Sequence, residues 1–114
     1  MPGGDRSVAP EWLGPCLRLA GEAYTPALTL RFRDGRLTAL TYAYLSAVRM
    51  SPNEGIDLDF VSYAVAIRGR RLKSVFEALA AHSAMELAES TTQFDENDQH
   101  PLIESIAVVP TQER

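Results

Sequence analysis

Residues 27–44 read ALTLRFRDGRLTALTYAY, and this stretch decides the fold class. Its first half alternates apolar residues with threonine and arginine, which is the two-residue period of a β-strand with one apolar face. Asp34 and Gly35 then predict a tight hairpin turn, because glycine adopts the positive φ that such turns require. The return strand is expected from residue 36 to about residue 44. Residues 45–50 either continue this strand or form a separate one after a bend.

The same alternation recurs after a turn at residues 51–55, where proline and glycine lie close together. Residues 56–60 read IDLDF and residues 63–67 read YAVAI, and the apolar positions of these two runs differ in parity. A shift of one residue turns every later side chain to the other face of a sheet. The chain is therefore expected to contain a bulge or a tight turn near Val61 and Ser62.

One amphipathic helix is predicted after these strands. Apolar residues at positions 72, 75, 76, 79 and 80 have the spacing of a single helical stripe. We expect a helix from about residue 70 to about residue 82 that covers the apolar face of the sheet. Residues 85–89 follow as a strand or a helical extension, with a strand favoured, and residues 102–109 form a last strand.

Together these elements predict an α+β fold. It would consist of a small, curved, mostly antiparallel sheet or a partly open barrel of five to seven strands, with one helix packed on it. Residues 1–25 are rich in proline and glycine and are expected to form an irregular lead-in. Residues 26–109 then form a single domain, in which the polar segment at about residues 90–101 is expected to be a mobile loop.

The composition of the 114-residue chain restricts the classes of function. Its net charge of −4 does not favour nucleic acid or an anionic membrane, so such binding would need a local basic patch. Cys16 is the only cysteine, which excludes an internal disulfide and a cysteine-rich zinc site. The sequence has neither the apolar core of a signal peptide nor a run of about 20 apolar residues, so we expect a cytoplasmic protein without membrane contact.

Basic residues surround the predicted start of the helix. The candidate site consists of Arg68, Gly69, Arg70, Arg71 and Lys73. Cations at this end of a helix are mildly unfavourable, by about 0.3–1 kcal/mol each, whereas free N–H groups and arginines together can bind an anion. The cluster therefore predicts contact with a phosphate, a carboxylate or an RNA backbone. The alternative is that these side chains point to solvent or pair with nearby carboxylates.

Charged residues on two strands suggest a cross-strand ladder. Arg31 and Arg33 are two residues apart, as are Asp57 and Asp59, so each pair occupies one face of its strand. The two pairs face each other if the strands are neighbours. Otherwise they form two separate solvated faces.

No motif in the rest of the sequence indicates a particular chemistry. There is no glycine-rich phosphate loop and no nucleophile elbow. The spacing of His82 and Glu86 offers two metal ligands, which is too few for a site. We predict no catalytic, cofactor-binding or metal-binding residue, and nothing in the sequence supports an enzymatic function.

Two short fragments resemble parts of the Sm-like family, which includes bacterial RNA chaperones of the Hfq type. Residues 28–36, LTLRFRDGR, are similar to the family's strand that ends in Asp-Gly-Arg. Residues 65–70, VAIRGR, are similar to its late apolar strand that ends in Arg-Gly. The resemblance implies that Arg68 and Gly69 lie in an RNA-contact loop and that the protein assembles as a ring.

These observations lead to three functional hypotheses. The first is a non-enzymatic binding or interaction module that self-associates or binds a protein partner, because a strand that follows a loose polar segment can pair with a neighbour's sheet edge. The second is an Sm-like RNA-binding protein that uses the basic cluster at residues 68–73. The third is a small-molecule anion binder or a small enzyme at the same helix start.

Overall fold

The computed structural model describes residues 11–21, 25–53, 55–91 and 99–111. Within these ranges the chain forms nine strands, one α-helix and one short 3-10 helix. In chain order they are β1 (Glu11–Leu13), β2 (Leu17–Leu19), β3 (Ala27–Arg31), β4 (Leu37–Thr41), the 3-10 helix (Tyr42–Tyr44), β5 (Leu45–Met50), β6 (Ile56–Phe60), β7 (Tyr63–Arg70), α1 (Lys73–Ala80), β8 (Ala84–Ala88) and β9 (Leu102–Pro110).

The strands form two sheets. Sheet 1 has the order β1-β2-β8-β3-β4, and sheet 2 has the order β5-β6-β7-β9. Neighbouring strands are antiparallel except β3 and β8, which are parallel. The α+β class is confirmed. The predicted five to seven strands in one sheet or partly open barrel are corrected to nine described strands in two sheets.

The chain changes sheets at the 3-10 helix. Tyr42 still bonds to sheet 1, since its N–H donates to Pro26 O at 2.9 Å and its hydroxyl donates to Ala84 O at 2.7 Å. The chain then leaves sheet 1 and enters β5 in sheet 2. The predicted return strand therefore ends at Thr41, and residues 45–50 form a separate strand.

Both sheets and the helix contribute to one hydrophobic core. The helix packs against β5 and β8, so it touches one strand of each sheet. Most of the apolar positions that the alternating pattern assigned to one strand face point into this core, with the exposed Tyr63 as an exception. Its fully buried members include Leu28, Leu30, Ile56, Leu58, Ile67, Leu72, Val75 and Leu79.

Two tight turns agree with the sequence pattern. The N–H of Gly35 donates to Phe32 O at 2.9 Å, and Gly35 has a φ of +96°. The turn at Asp34 and Gly35 therefore joins β3 to β4 as predicted. Residues 61–62 connect β6 directly to β7. This tight turn, and not a bulge, reverses the parity of the apolar positions.

The helix begins later than predicted, at Lys73 instead of about residue 70. Arg70 is still part of β7, where it pairs with Leu102 of β9. Arg71 has a φ of +56°, a left-handed conformation that a right-handed helix does not contain. Pairing with β9 therefore extends the strand into residues that the sequence assigned to the helix.

The helix also ends earlier than predicted, at Ala80 instead of about residue 82. His82 has a φ of +58°. The N–H groups of His82 and Ser83 donate back to Leu79 O and Ala78 O, at 3.1 and 2.8 Å. This bonding pattern ends many helices at a left-handed residue.

The described part of the predicted irregular lead-in contains regular structure. Residues 11–19 form the hairpin β1–β2, which extends sheet 1. The strands predicted at residues 85–89 and 102–109 are confirmed as β8 and β9. None of the described helices is long and apolar enough to cross a membrane. Residues 1–10 and 22–24 of the lead-in and residues 92–98 of the predicted loop lie outside the described residues.

Candidate functional site

The basic cluster predicted from the sequence is spread over three structural elements. Arg68, Gly69 and Arg70 form the end of β7, Arg71 lies in the connection to the helix, and Lys73 is the first helical residue. Arg68, Arg70 and Lys73 are exposed. The Sm-like resemblance implies a loop at Arg68 and Gly69, whereas the structure places both residues inside a strand.

The Arg68 guanidinium is bound within sheet 2. Its Nη1 donates to Ile67 O at 2.9 Å and to Ile56 O at 3.3 Å. Both terminal nitrogens lie 3.4 Å from Asp57 Oδ1. Gly55 leaves room for this side chain, since a Cβ at Gly55 would lie 2.9 Å from Nη1. Arg68 therefore stabilises the β6–β7 pair, with a modest contribution because the ion pair is exposed.

Gly69 is required by a close approach between two strands. The register of β7 and β9 shifts between Arg68 and Gly69, which leaves Glu104 as an extra, bulged residue on β9. A Cβ at Gly69 would lie 2.0 Å from Leu102 O. Glycine is needed here so that the β9 backbone can approach β7.

Arg71 contacts the segment that leads into β9, and Arg70 contacts β9 itself. Arg71 Nε donates to His100 O at 3.0 Å, and Arg70 Nε lies 3.5 Å from Glu104 Oε2. Leu72, the N-cap residue of the helix, makes no side-chain cap hydrogen bond. Arg68 and Arg70 thus make the carboxylate pairs that the sequence analysis gave as the alternative to anion binding.

Of the two alternatives for Arg31, Arg33, Asp57 and Asp59, the structure excludes the cross-strand ladder. It does not form because β3 and β6 belong to different sheets. Asp59 instead accepts a hydrogen bond from Arg49 at 2.5 Å. This bond lowers the pKa of Asp59 below its usual value. Since both side chains are exposed, solvent screens the pair.

The outer face of sheet 1 carries a charged row that sequence reasoning missed. The Glu86 side chain is only 6% exposed, because Arg31 Nε donates to Oε2 at 2.6 Å and Arg18 lies 3.6 Å from Oε1. The Arg18 guanidinium lies 6.0 Å from the centre of the Trp12 ring. These residues come from strands that are distant in sequence, so no local pattern could reveal the row. Its carboxylate is already paired, which points to a structural role.

A groove of about 540 Å³ lies between the β3–β4 turn and β9. Glu89 bridges its two sides, since Oε1 accepts the N–H of Arg33 and Oε2 accepts the N–H of Ile106, both at 2.8 Å. The Arg33 side chain donates to the carbonyls of Ser90 and Glu104. Arg33 and Glu89 therefore tie the two sheets together.

The outer edge of β9, which we call the covered edge, is protected by residues from other elements. The N–H of Ser90 donates to Ile103 O at 2.7 Å, and the N–H of Ile103 donates to Cys16 Sγ at 3.3 Å. Glu89 accepts the N–H of Ile106 further along. Backbone groups that point away from β7 are thus already hydrogen-bonded over this part of β9.

The outer edge of β4, which we call the open edge, has no such cover from the described residues. β4 pairs with β3 alone and ends the order of sheet 1. The N–H of Tyr42 donates to Pro26 O and the N–H of Phe32 donates to Arg36 O, so the even-numbered residues of this strand bond to β3. The backbone N–H and C=O groups that face outward belong to Leu37, Ala39 and Thr41.

The open edge also lacks the features by which proteins prevent strand pairing, namely charge, proline, bulges and short length. Its sequence is LTALT, and its register with β3 is regular throughout. The edge strand β1 has only three residues, whereas β5 carries Arg49, has a register shift and packs against α1. Of the four edge strands in the described chain, β4 alone has none of these protections.

The described residues contain no group of three or more His, Cys, Asp or Glu side chains that could hold a metal ion. Cys16 is buried, and burial raises the pKa of its thiol, although the hydrogen bond from the N–H of Ile103 partly offsets this. A protonated, buried thiol is a poor nucleophile. Its contact with β9 gives Cys16 a structural role.

The open edge and the basic cluster are therefore the two surfaces to weigh for function. The open edge offers unpaired backbone groups, whereas two of the exposed arginines of the basic cluster have carboxylate partners. The chain matches none of the protein-family models, curated proteins or solved structures with which it was compared.

Proposed function

We propose that this protein is a non-enzymatic interaction module that self-associates through the open edge. The observation that carries the proposal is the strand β4, with outward-facing backbone groups on Leu37, Ala39 and Thr41 and no described element beside them. An exposed, regular, uncharged edge strand is a template for pairing with another chain.

The side chains of the open edge support pairing as well. Leu37 is 57% exposed, which is high for a leucine, and Ala39 and Thr41 are also exposed. Threonine is a β-branched residue that suits a strand, and an exposed leucine side chain is stabilised when a neighbouring strand removes it from water. Addition of a strand would cover this apolar surface and satisfy the backbone groups in the same step.

The experiment is sedimentation velocity of the full chain over a wide range of concentrations. We expect the sedimentation coefficient to rise with concentration, because a short strand edge gives a weak and reversible contact. Ala39→Lys places a charge in the middle of the open edge and should keep the protein monomeric. Ala107→Lys is the matched control, since Ala107 is an exposed alanine of the other sheet.

Two results would contradict the proposal. The first is a wild-type protein that stays monomeric at every concentration. The second is an oligomer that Ala39→Lys and Ala107→Lys weaken equally, because that would place the contact away from β4.

Binding of RNA or of a small anion at the basic cluster is the alternative proposal. The Arg68 and Arg70 side chains are 52% and 47% exposed, so a phosphate could reach them. Each already lies near a carboxylate, however, and the chain as a whole is acidic. The alternative therefore requires an anion that displaces Asp57 or Glu104 from its arginine. Filter binding of RNA across a salt series tests it.

A further inference from the structure

We infer that the self-associated form is a two-fold dimer in which β4 pairs antiparallel with β4 of a second copy, with Ala39 of the two chains facing each other on the axis. The inference rests on the proposed function and names its partner and register. Sheet 1 of each copy would then continue across the axis into sheet 1 of the other.

The register follows from the outward-facing backbone groups. In antiparallel strands, residues that bond to each other exchange both N–H···O=C hydrogen bonds. With Ala39 opposite Ala39, Leu37 lies opposite Thr41 of the second copy, and Thr41 lies opposite its Leu37. These pairs contain every outward-facing residue of β4, so about six hydrogen bonds form.

Other symmetric registers use the edge less completely. An axis through Thr38 pairs Leu37 with Ala39 of the second copy and leaves Thr41 opposite a turn residue. An axis through Leu40 likewise leaves Leu37 opposite a residue that lies outside β4. Each alternative retains about four of the hydrogen bonds within the strand. The axis at Ala39 is the one that satisfies the complete edge.

A parallel pair does not give a closed dimer at this edge. In parallel strands, the backbone groups of a residue bond to two residues of the partner strand, namely those before and after the residue directly opposite. Since only odd-numbered residues of β4 face outward, each would have to lie opposite an even-numbered residue. The two copies would then be offset by one residue, which a two-fold axis forbids.

The side chains around the axis are compatible with this arrangement. Alanine at the centre allows close approach of the two strands, and Leu37 would be covered by Thr41 of the second copy. Arg36 is the nearest charged residue in the chain, three positions from Ala39. The two Arg36 residues of the dimer would be separated by about 20 Å, which exceeds the Debye length at physiological salt.

Charge complementation tests the register directly. Ala39→Lys and Ala39→Glu should each weaken the dimer by at least about tenfold, because two like charges face each other across the axis. An equimolar mixture of the two variants should restore association, because lysine then faces glutamate. The Lys and Glu variants of Ala107 are the control pair and should associate like wild type, alone and mixed.

Cysteine crosslinking gives a second, independent measurement. Ala39→Cys should form a disulfide-linked dimer on mild oxidation, because directly opposite residues in a hydrogen-bonded pair have Cα atoms about 5.5 Å apart. Ala107→Cys and the wild-type protein, whose Cys16 is buried, should not. Leu37→Cys mixed with Thr41→Cys should also crosslink, whereas Leu37→Cys alone should not.

The outcomes separate the two claims. If wild type associates but the Lys–Glu mixture does not recover and Ala39→Cys does not crosslink, the inferred register is wrong and self-association stands. A wild-type protein that is monomeric at every concentration overturns both. Recovery of the mixture together with the crosslink at residue 39 establishes the two-fold β4 pair.

Discussion

The edge strands β4 and β9 both have backbone groups that face away from their own sheet, but only those of β9 are hydrogen-bonded by other parts of the described chain. On β9, Cys16, Glu89 and Ser90 bond to backbone groups that β7 leaves free. Pro110 ends the strand and has no N–H to offer. On β4 the corresponding groups of residues 37, 39 and 41 have no bonded partner among the described residues. The difference shows that protection of an edge depends on what the rest of the chain places beside it.

The cover of β9 has a second consequence, because it also joins the two sheets. Glu89 follows β8 of sheet 1 and bonds to Ile106 of sheet 2. Arg33 reaches from the β3–β4 turn to the carbonyls of Ser90 and Glu104. The same contacts therefore protect one edge and hold the sheets together, whereas β4 is held by β3 alone.

The largest effect is expected from Gly69→Ala, which disturbs the pairing of β7 with the covered strand. A Cβ would lie 2.0 Å from Leu102 O, so the backbones must separate. We expect a loss of about 3 kcal/mol or more in the free energy of unfolding, measured by urea denaturation.

Gly35→Ala is the control for that substitution. Gly35 has a φ of +96°, but a Cβ added there would have no other atom within 4 Å, so only backbone strain of about 1–2 kcal/mol is expected. Equal losses for the two variants would show that the close approach of β9 to Gly69 does not matter for stability.

Glu89→Ala should open the part of the covered edge at Ile106. It removes the acceptor for the N–H groups of Arg33 and Ile106, which should reduce the free energy of unfolding by about 2 kcal/mol. It should also increase self-association in sedimentation velocity, because β9 gains an unpaired N–H at its edge. Glu104→Ala removes an exposed carboxylate of the same strand and should change stability by less than about 0.5 kcal/mol. A Glu89 variant that is as stable as the Glu104 variant and associates no more strongly would contradict the role of Glu89.

Tyr42→Phe tests how the end of the open strand is fastened to sheet 1. The Tyr42 hydroxyl donates to Ala84 O at 2.7 Å, and the ring stacks on His82 with centroids 4.5 Å apart. Phenylalanine keeps the ring and leaves Ala84 O without its donor, so a loss of about 1 kcal/mol is expected. Tyr44→Phe, at an exposed position, should have no measurable effect.

The same residue predicts a pH dependence. Burial raises the pKa of Tyr42 above its usual value of 10. Because the pKa is higher in the folded state, the stabilisation is complete below about pH 10 and is lost as the pH rises further. Wild type should lose stability above about pH 10 more steeply than Tyr42→Phe in denaturant titrations. Identical alkaline profiles would show that the hydroxyl is not held as described.

The smallest effect on stability is expected from Arg70→Ala, which removes an exposed ion pair with the covered strand. The free energy of unfolding should change by less than about 0.5 kcal/mol. Filter binding should show no salt-dependent retention of RNA by wild type, by this variant or by Arg36→Ala, a second exposed and ion-paired arginine. RNA retention that Arg70→Ala abolishes and Arg36→Ala does not would favour the RNA-binding alternative.

The sequence predicted the elements whose signals are local. The alternation in β3, the Asp34-Gly35 turn and the helical stripe each depend on residues a few positions apart, and all three appear in the structure. The ends of the helix were misjudged, because β9 extends β7 to Arg70 and His82 adopts a left-handed conformation. Both of these effects involve neighbours in space or a backbone conformation that the apolar spacing does not reveal.

The surfaces were harder to predict than the elements. The basic cluster was visible as a run of charges, but its partners Asp57 and Glu104 come from other strands. The sequence left open whether β3 and β6 are neighbours, and they are not, because the chain changes sheets after Tyr42. The open edge had no sequence signal of its own, since LTALT reads the same whether a strand is central or at an edge.

The sequence by itself determined the α+β class, the hairpin at Asp34 and Gly35, and the residues that could enter a core, because periodicity and turn chemistry act over short distances. Tertiary structure alone decided which strands became neighbours and which edge remained uncovered. That decision rests on contacts between distant residues, such as Glu89 with Ile106, and on their absence beside β4 in the described chain. The surface to which we assign the function is therefore a product of the assembled fold.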